Sequence, residues 1–235
     1  PLCPLLYLSS EYIAIKLILE LDSNLVEIIL LSLKVTFSSV FIATVLGLYV
    51  GTIVSITNFP GKNIIVVLLN SFMGLPPVVV GLVVYLMLSR VGPFGVFGLL
   101  YSPTAMIIAQ SILITPIIAA LTRQIVSDLW VKYELQFRSL CLSLRESFFE
   151  IIWDARHGLL TAIFAGLGRA IAEVGAVIIV GGNIEHVTRV MTTTIAMETS
   201  KGNLELAMAL GMILLLLTFL INLSLFLIGN RSKNY

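Results

Sequence analysis

The chain has 235 residues, of which 58% are hydrophobic and only 11% charged, and its formal net charge is +1. Ordinary soluble domains carry roughly 25% charged residues, so this composition excludes a water-soluble globule. The absence of interleaved basic and aromatic residues also excludes nucleic acid as a partner. In a bilayer the backbone must satisfy itself, which calls for helices of about 20 mainly apolar residues.

Residues 5–20 fall short of that length and carry Glu11 and Lys16 beside helically spaced Ile13, Leu17 and Ile18. They read as an N-terminal interfacial helix, and no cleavable signal pattern is present. Five apolar stretches then reach spanning length, at 26–57, 62–89, 104–126, 158–182 and 204–228. The expected fold is all-α: a polytopic membrane helix bundle of about five transmembrane helices, forming one domain over residues 1–235. In the first span Lys34 lies close enough to the outer end to snorkel.

The second span contains Pro76 and Pro77 between Gly74 and Gly81. Two missing backbone donors force the helix to kink or unwind there, and broken helices in transporters sit at the translocation path. A turn-rich connection follows at 91–102, with Gly92-Pro93, Gly95 and Gly98.

Residues 124–157 form the longest connection, and here the periodicity is helical. Trp130, Tyr133, Phe137, Leu140, Cys141, Leu144, Phe148, Ile151 and Ile152 recur at spacings of three and four; Lys132, Gln136, Ser139, Ser143, Glu146 and Glu150 fall opposite. This predicts an amphipathic helical hairpin over about 128–156. Ser143 and Glu146 match a capping box, so one helix is expected to end near Leu142 and the next to begin at Ser143. Such a hairpin either docks a soluble partner or packs beneath the bundle.

In the fourth span the small residues Ala165, Gly168, Ala172 and Gly175 are expected to form a close-packing face. Arg169 and Glu173, four apart, are expected to pair within that helix, because an unpaired charge at mid-membrane costs about 2.5 to 3.5 kcal/mol. The pair holds a gate, lines a pathway or bridges two helices. Support near the pathway is favoured over direct substrate contact, since a paired arginine has less field left for an anion. Gly181-Gly182-Asn183 is a helix stop. Beyond it Thr188, Arg189 and Thr192 offer oxyanion donors or an ordinary surface loop.

Sidedness follows from the cations. With 124–157 placed in the cytoplasm, Lys62, Arg123, Lys132, Arg138, Arg145, Arg156, Arg231 and Lys233 lie inside, against Lys16, Arg90, Arg189 and Lys201 outside. That matches the positive-inside rule, with the N-terminus outside and the C-terminus cytoplasmic. Cys3 and Cys141 would then be separated by the membrane and unable to form a disulfide, and no metal site or cofactor is expected. There is no phosphate-binding glycine loop and no catalytic constellation, so the chain is not expected to be an enzyme.

Several segments together resemble the permease subunits of binding-protein-dependent ABC importers, and among these the tungstate-type oxyanion permeases. They are Gly74 to Gly81, Ser102 to Gln110, Asp154-Ala155-Arg156, Leu159 to Ile163, Gly168 to Ala176, Gly181 to Ile184 and Thr188 to Thr192. The resemblance covers nearly the whole chain from Glu11. It implies a homodimer in the cell membrane, two cytoplasmic ATP-binding subunits, an extracytoplasmic oxyanion-binding protein and contact with membrane lipid. The implied cargo is a tetrahedral oxyanion, tungstate first, with molybdate, sulfate or another oxyanion as the alternative. It also implies that Glu134, Gln136, Phe137, Arg138, Cys141 and Ser143 couple to the ATPase. Gln136 and Phe137 occupy small-alanine positions of the family's motif, and Cys141 its turn glycine. Pro76, Pro77, Arg169, Glu173, Asn183, Thr188, Arg189 and Thr192 become pathway or gate positions. Two other classes are distinguishable: an ion-coupled secondary transporter using Arg169 and Glu173, and a membrane scaffold recruiting a partner through the hairpin.

Overall fold

The computed structural model describes residues 23–231; the interfacial helix expected at 5–20, and Cys3, lie outside them. Among the described residues there are eight α-helices and no strand. They are α1 (Ser23–Ile56), α2 (Lys62–Phe72), α3 (Pro77–Leu88), α4 (Pro103–Ser139), α5 (Leu144–Ile171), α6 (Gly175–Gly181), α7 (Met191–Lys201) and α8 (Leu204–Arg231). A 3-10 turn occupies Gly95–Phe97. Three helices are long and apolar enough to cross a membrane, or up to five spans if α2 with α3, and α5 with α6, each count as one broken span.

The breaks fall where local chemistry puts them. Pro77 opens α3, a position that needs no backbone donor, so the double proline ends one helix and starts another. Pro103 opens α4 in the same way, and the Ser102 hydroxyl accepts the Ala105 N–H at 3.3 Å. The third expected span is longer than its apolar stretch: α4 continues without interruption to Ser139. The connection at 128–156 is therefore the joined ends of two long helices, not a separate helix pair.

The helices form two compact units. The first takes the described chain up to Phe37, Pro77–Ala109 and Ala172–Leu223. Its core gathers Val35, Met106, Val177 and Val190, with a second cluster of Leu25, Ile28, Met191 and Leu210. Helix α3 packs along α6. The start of α7 is capped from α1, where buried Ser32 accepts the Met191 N–H at 2.8 Å.

The second unit takes Ser38–Pro76, Gln110–Ile171 and the chain from Ser224. Here α1 presents Ser39, Ala43, Gly47, Gly51 and Ser55 at four-residue spacing, and α4 comes so near that a Cβ at Gly51 would lie 2.5 Å from the Ala119 carbonyl oxygen. Hydrogen bonds run along this seam: Ser39 donates to Gln110 at 3.0 Å, Ser111 to the Ser39 carbonyl at 3.3 Å, and Ser55 to the Arg123 carbonyl at 2.9 Å. Gln110 in turn donates to the Ala170 carbonyl at 2.7 Å and so ties α5 to α4. Small residues and interhelical polar bonds replace the hydrophobic effect as the adhesive inside a bilayer.

The close-packing face expected at Gly168 is displaced. A Cβ there meets nothing within 4 Å, whereas one at Gly166 would lie 2.8 Å from the Ile118 side chain. The tight face of α5 is instead Ala155, Leu159, Ala162, Gly166 and Ala170, all buried. A shift of two residues turns a helix by more than half a revolution, and periodicity among small residues alone did not fix which face meets α4.

Candidate functional site

The turn between α4 and α5 is built from its own backbone. Cys141 has φ +54°, in the left-handed region. The Cys141 N–H donates to the Arg138 carbonyl and the Leu142 N–H to the Phe137 carbonyl, both at 3.1 Å. These two bonds with a left-handed residue between them make a Schellman stop, a place that favours glycine because a Cβ there costs about 1 to 2 kcal/mol. Two residues on, Ser143 caps α5. Its hydroxyl accepts the Glu146 N–H at 3.3 Å, while Glu146 accepts the Ser143 N–H at 2.8 Å and its hydroxyl at 2.6 Å. The capping box expected from the sequence is present, with helix boundaries at Ser139 and Leu144. The Ser143 hydroxyl and N–H together hold the Glu146 carboxyl below its usual range.

The hairpin's two faces divide largely as the periodicity requires. Trp130, Phe137, Phe148 and Ile152 pack against the buried Val126, Ile151 and Ala155, and Tyr133 stacks on Phe137. A hydrogen bond from Tyr133 to Asp154 raises the tyrosine's pKa and clasps α4 to α5. At the tip the pattern departs from expectation. Leu140 and Leu144, assigned to the inner face, are 60% and 62% exposed, and Leu135 is 81% exposed. Exposed with them are Gln136, Arg138, Cys141 and Ser143, while Glu134 pairs with Arg138 at 2.6 Å. The tip thus exposes bare leucines and mixed charge together.

The candidate pathway residues are distributed differently. Pro76 lies in the break before α3 and Pro77 at its start. Arg169 is in the last turn of α5, and that helix stops at Ile171, so Glu173 lies in the break before α6 and the two residues do not share one continuous helix. Buried Glu173 accepts the Ala176 N–H at 3.0 Å, placing a carboxylate at the start of α6. An anion suits the unsatisfied donors at a helix start.

The stop at 181–183 is confirmed, with Gly182 at φ +70° and Asn183 at φ +50°. The threonine hydroxyls that follow are spent on the loop itself. Fully buried Thr188 donates to the Gly181 carbonyl and accepts the Ile184 N–H at 2.9 Å. Thr193 donates to Asn183 at 2.8 Å, and Thr192 donates to the Glu173 carbonyl at 2.9 Å. Asn183, Thr188, Thr192 and Glu173 thus each hold a hydrogen bond within the loop or to a neighbouring helix end, and Arg189 pairs with Glu185 at 2.8 Å.

Two further features escaped sequence reasoning. Gln110, an amide at the centre of an apolar helix, is buried and bonds helices on two sides; a lone amide at membrane depth was the available signal. His186, at φ +59°, meets Glu27 of α1 at 2.7 Å. The hydrogen bond to Glu27 and its charge raise the histidine's pKa. No short-range pattern links residues 159 positions apart.

No family model matches the chain. Individual proteins do. It is 40% identical over 205 residues to a probable anion ABC transporter permease protein of Haloferax volcanii, covering 84% of this chain and 88% of that one. It is 40% identical over 209 residues to the tungstate uptake system permease protein TupB of Peptoclostridium acidaminophilum, covering 89% and 92%. The TupB of Campylobacter jejuni is 37% identical over 164 residues, covering 70% and 69%.

Proposed function

The chain belongs to the permease subunits of ABC anion transporters, and from that premise we propose that it carries tungstate into the cell as one of two identical membrane subunits. The observation that supports the cargo most strongly is the 40% identity to a tungstate uptake permease across nearly the whole of both chains. The power source lies elsewhere: two cytoplasmic ATP-binding subunits hydrolyse ATP, and an extracytoplasmic binding protein delivers the oxyanion. This chain catalyses no reaction and forms a single permease domain over 1–235. Its N-terminus lies outside and its C-terminus in the cytoplasm, supported by the cation asymmetry.

The α4–α5 tip is the coupling element in this scheme. Glu134, Gln136, Phe137, Arg138, Cys141 and Ser143 shape or present the surface that the ATPase grips. The tip joins the ends of two long helices, so a push on it is passed directly into α4 and α5. Pro76 and Pro77 mark a broken span at the pathway. Arg169, Glu173, Asn183, Thr188, Arg189 and Thr192 brace the gate, because the hydroxyls and the carboxylate of this set already satisfy loop and helix-end backbone groups.

The deciding experiment reconstitutes the chain in proteoliposomes with its ATPase and binding protein and measures ATP hydrolysis. Stimulation by the tungstate-loaded binding protein, and less by sulfate, is expected. Turnover indifferent to every oxyanion, or uptake driven by a proton gradient without ATP, would overturn the assignment. Glu134→Arg should reduce co-purification of the ATPase while the bundle stays folded; unchanged co-purification removes the tip from the docking surface.

A further inference from the structure

At the start of α1 an open cavity of about 400 Å³ lies against the 186–187 loop. Its walls are aliphatic, from Leu30, Leu31 and Val187, and its polar groups are Glu27, Lys34 and His186. The charged and titratable groups lining it come from two elements, Glu27 and Lys34 from α1 and His186 from the loop; Glu185 and Arg189 line a neighbouring pocket that shares Glu27 and His186. Arg189 is held by Glu185 and His186 by Glu27. That leaves the exposed Lys34 ammonium as the charge without a partner among the described residues. Lys34 also stands in the outward stripe of α1 between Leu30, 61% exposed, and Phe37, 50% exposed.

We propose that this cavity seats the phosphodiester of an anionic membrane phospholipid, with Lys34 as its ammonium contact and Leu30 and Phe37 carrying the adjoining acyl chain. One cation set among aliphatic walls matches an amphipathic monoanion. A small, doubly charged, strongly hydrated oxyanion would lose its water to these walls and gain a single ammonium beside a carboxylate, which is a poor exchange. The His186 contact adds a pH dependence. While His186 is protonated, Glu27 is compensated and the pocket is cationic through Lys34. Once His186 loses its proton, the Glu27 carboxylate opposes a phosphate. The proposal rests on the permease reading only in placing α1 within the bilayer.

The test is native mass spectrometry of the full chain, purified with its ATPase and released from nanodiscs of phosphatidylcholine with or without phosphatidylglycerol. Lys34→Gln should lower retained phosphatidylglycerol about fivefold, the loss expected for one basic contact to an anionic surface. Lys34→Arg should retain it, and Lys201→Gln, which removes a cation already paired with Glu198, should leave it unchanged. Retention in the unaltered chain should fall between mildly acidic and alkaline pH, and His186→Gln should flatten that fall. Equal retention in Lys34→Gln and the unaltered chain would overturn the proposal. Displacement of the lipid by sodium tungstate would overturn it differently, making the cavity a site for free oxyanion. Tungstate-stimulated ATP hydrolysis, measured on the same preparation, reports separately on the transport assignment.

Discussion

The chain reverses at 140–143 and again at 182–190, and both reversals place non-glycine residues in the left-handed region. At the first, Cys141 does so with only neighbouring backbone and the Ser143–Glu146 pair to hold it, on an exposed tip. At the second, Asn183 and His186 do so over a buried scaffold in which Thr188 and Thr193 are almost fully enclosed. A reversal made from local bonds leaves its side chains exposed. One made from buried hydroxyls has its polar groups already committed, and it holds its shape whether or not anything binds.

The sharpest way to break this contrast is Thr188→Val. It strips a partner from the buried Gly181 carbonyl and the Ile184 N–H, and it should cost about 3 kcal/mol, read as a lower Tm of the purified chain in detergent. A loss under about 0.5 kcal/mol would mean the loop is as locally held as the tip. Next in size, Gly166→Leu should cost about 1 to 3 kcal/mol by driving a side chain into Ile118, whereas Gly168→Leu should leave the Tm of the isolated chain within error. Equal effects would show that the tight face of α5 is wrongly placed. At the tip, Cys141→Gly should stabilise the turn by about 1 kcal/mol and Ser143→Ala should cost about 1 kcal/mol, both visible as changes in amide exchange at 140–147.

The smallest effect carries the clearest sign. Glu146 is held below its usual carboxylate range when folded, so its contribution is complete above that range and is lost as pH falls through the lowered value. His186 is raised when folded, so its contribution is complete below the ordinary histidine range and is lost as pH rises through the raised value. Amide exchange, corrected for intrinsic rate, should therefore show the tip loosening with acid and the loop loosening with base. The same sign in both would sink the contrast.

Legibility in the sequence follows the same division. The capping box at Ser143 and Glu146, the breaks at Pro77 and Gly182, and the membrane-spanning lengths are consequences of residues within a few positions of one another. The continuation of α4 to Ser139 was hidden because hydropathy falls at the membrane edge while the helix does not stop there. The face of α5 that packs is chosen by Ile118, a residue 48 positions before Gly166 (166 − 118).

By itself the sequence determined that this chain lives in a bilayer, that helices break at Pro77 and Gly182, and which transporter family it joins, because solvent preference and backbone termination at proline and glycine are local properties. The break between Ile171 and Gly175 was not legible. Only the tertiary structure decided that Glu173 lies in a break after α5 and accepts a backbone N–H at the start of α6, and that the threonines after Asn183 serve the loop. It also decided that His186 reaches Glu27. Each of those depends on which donor lies within about 3 Å of which acceptor, a distance fixed by packing between segments remote in the chain.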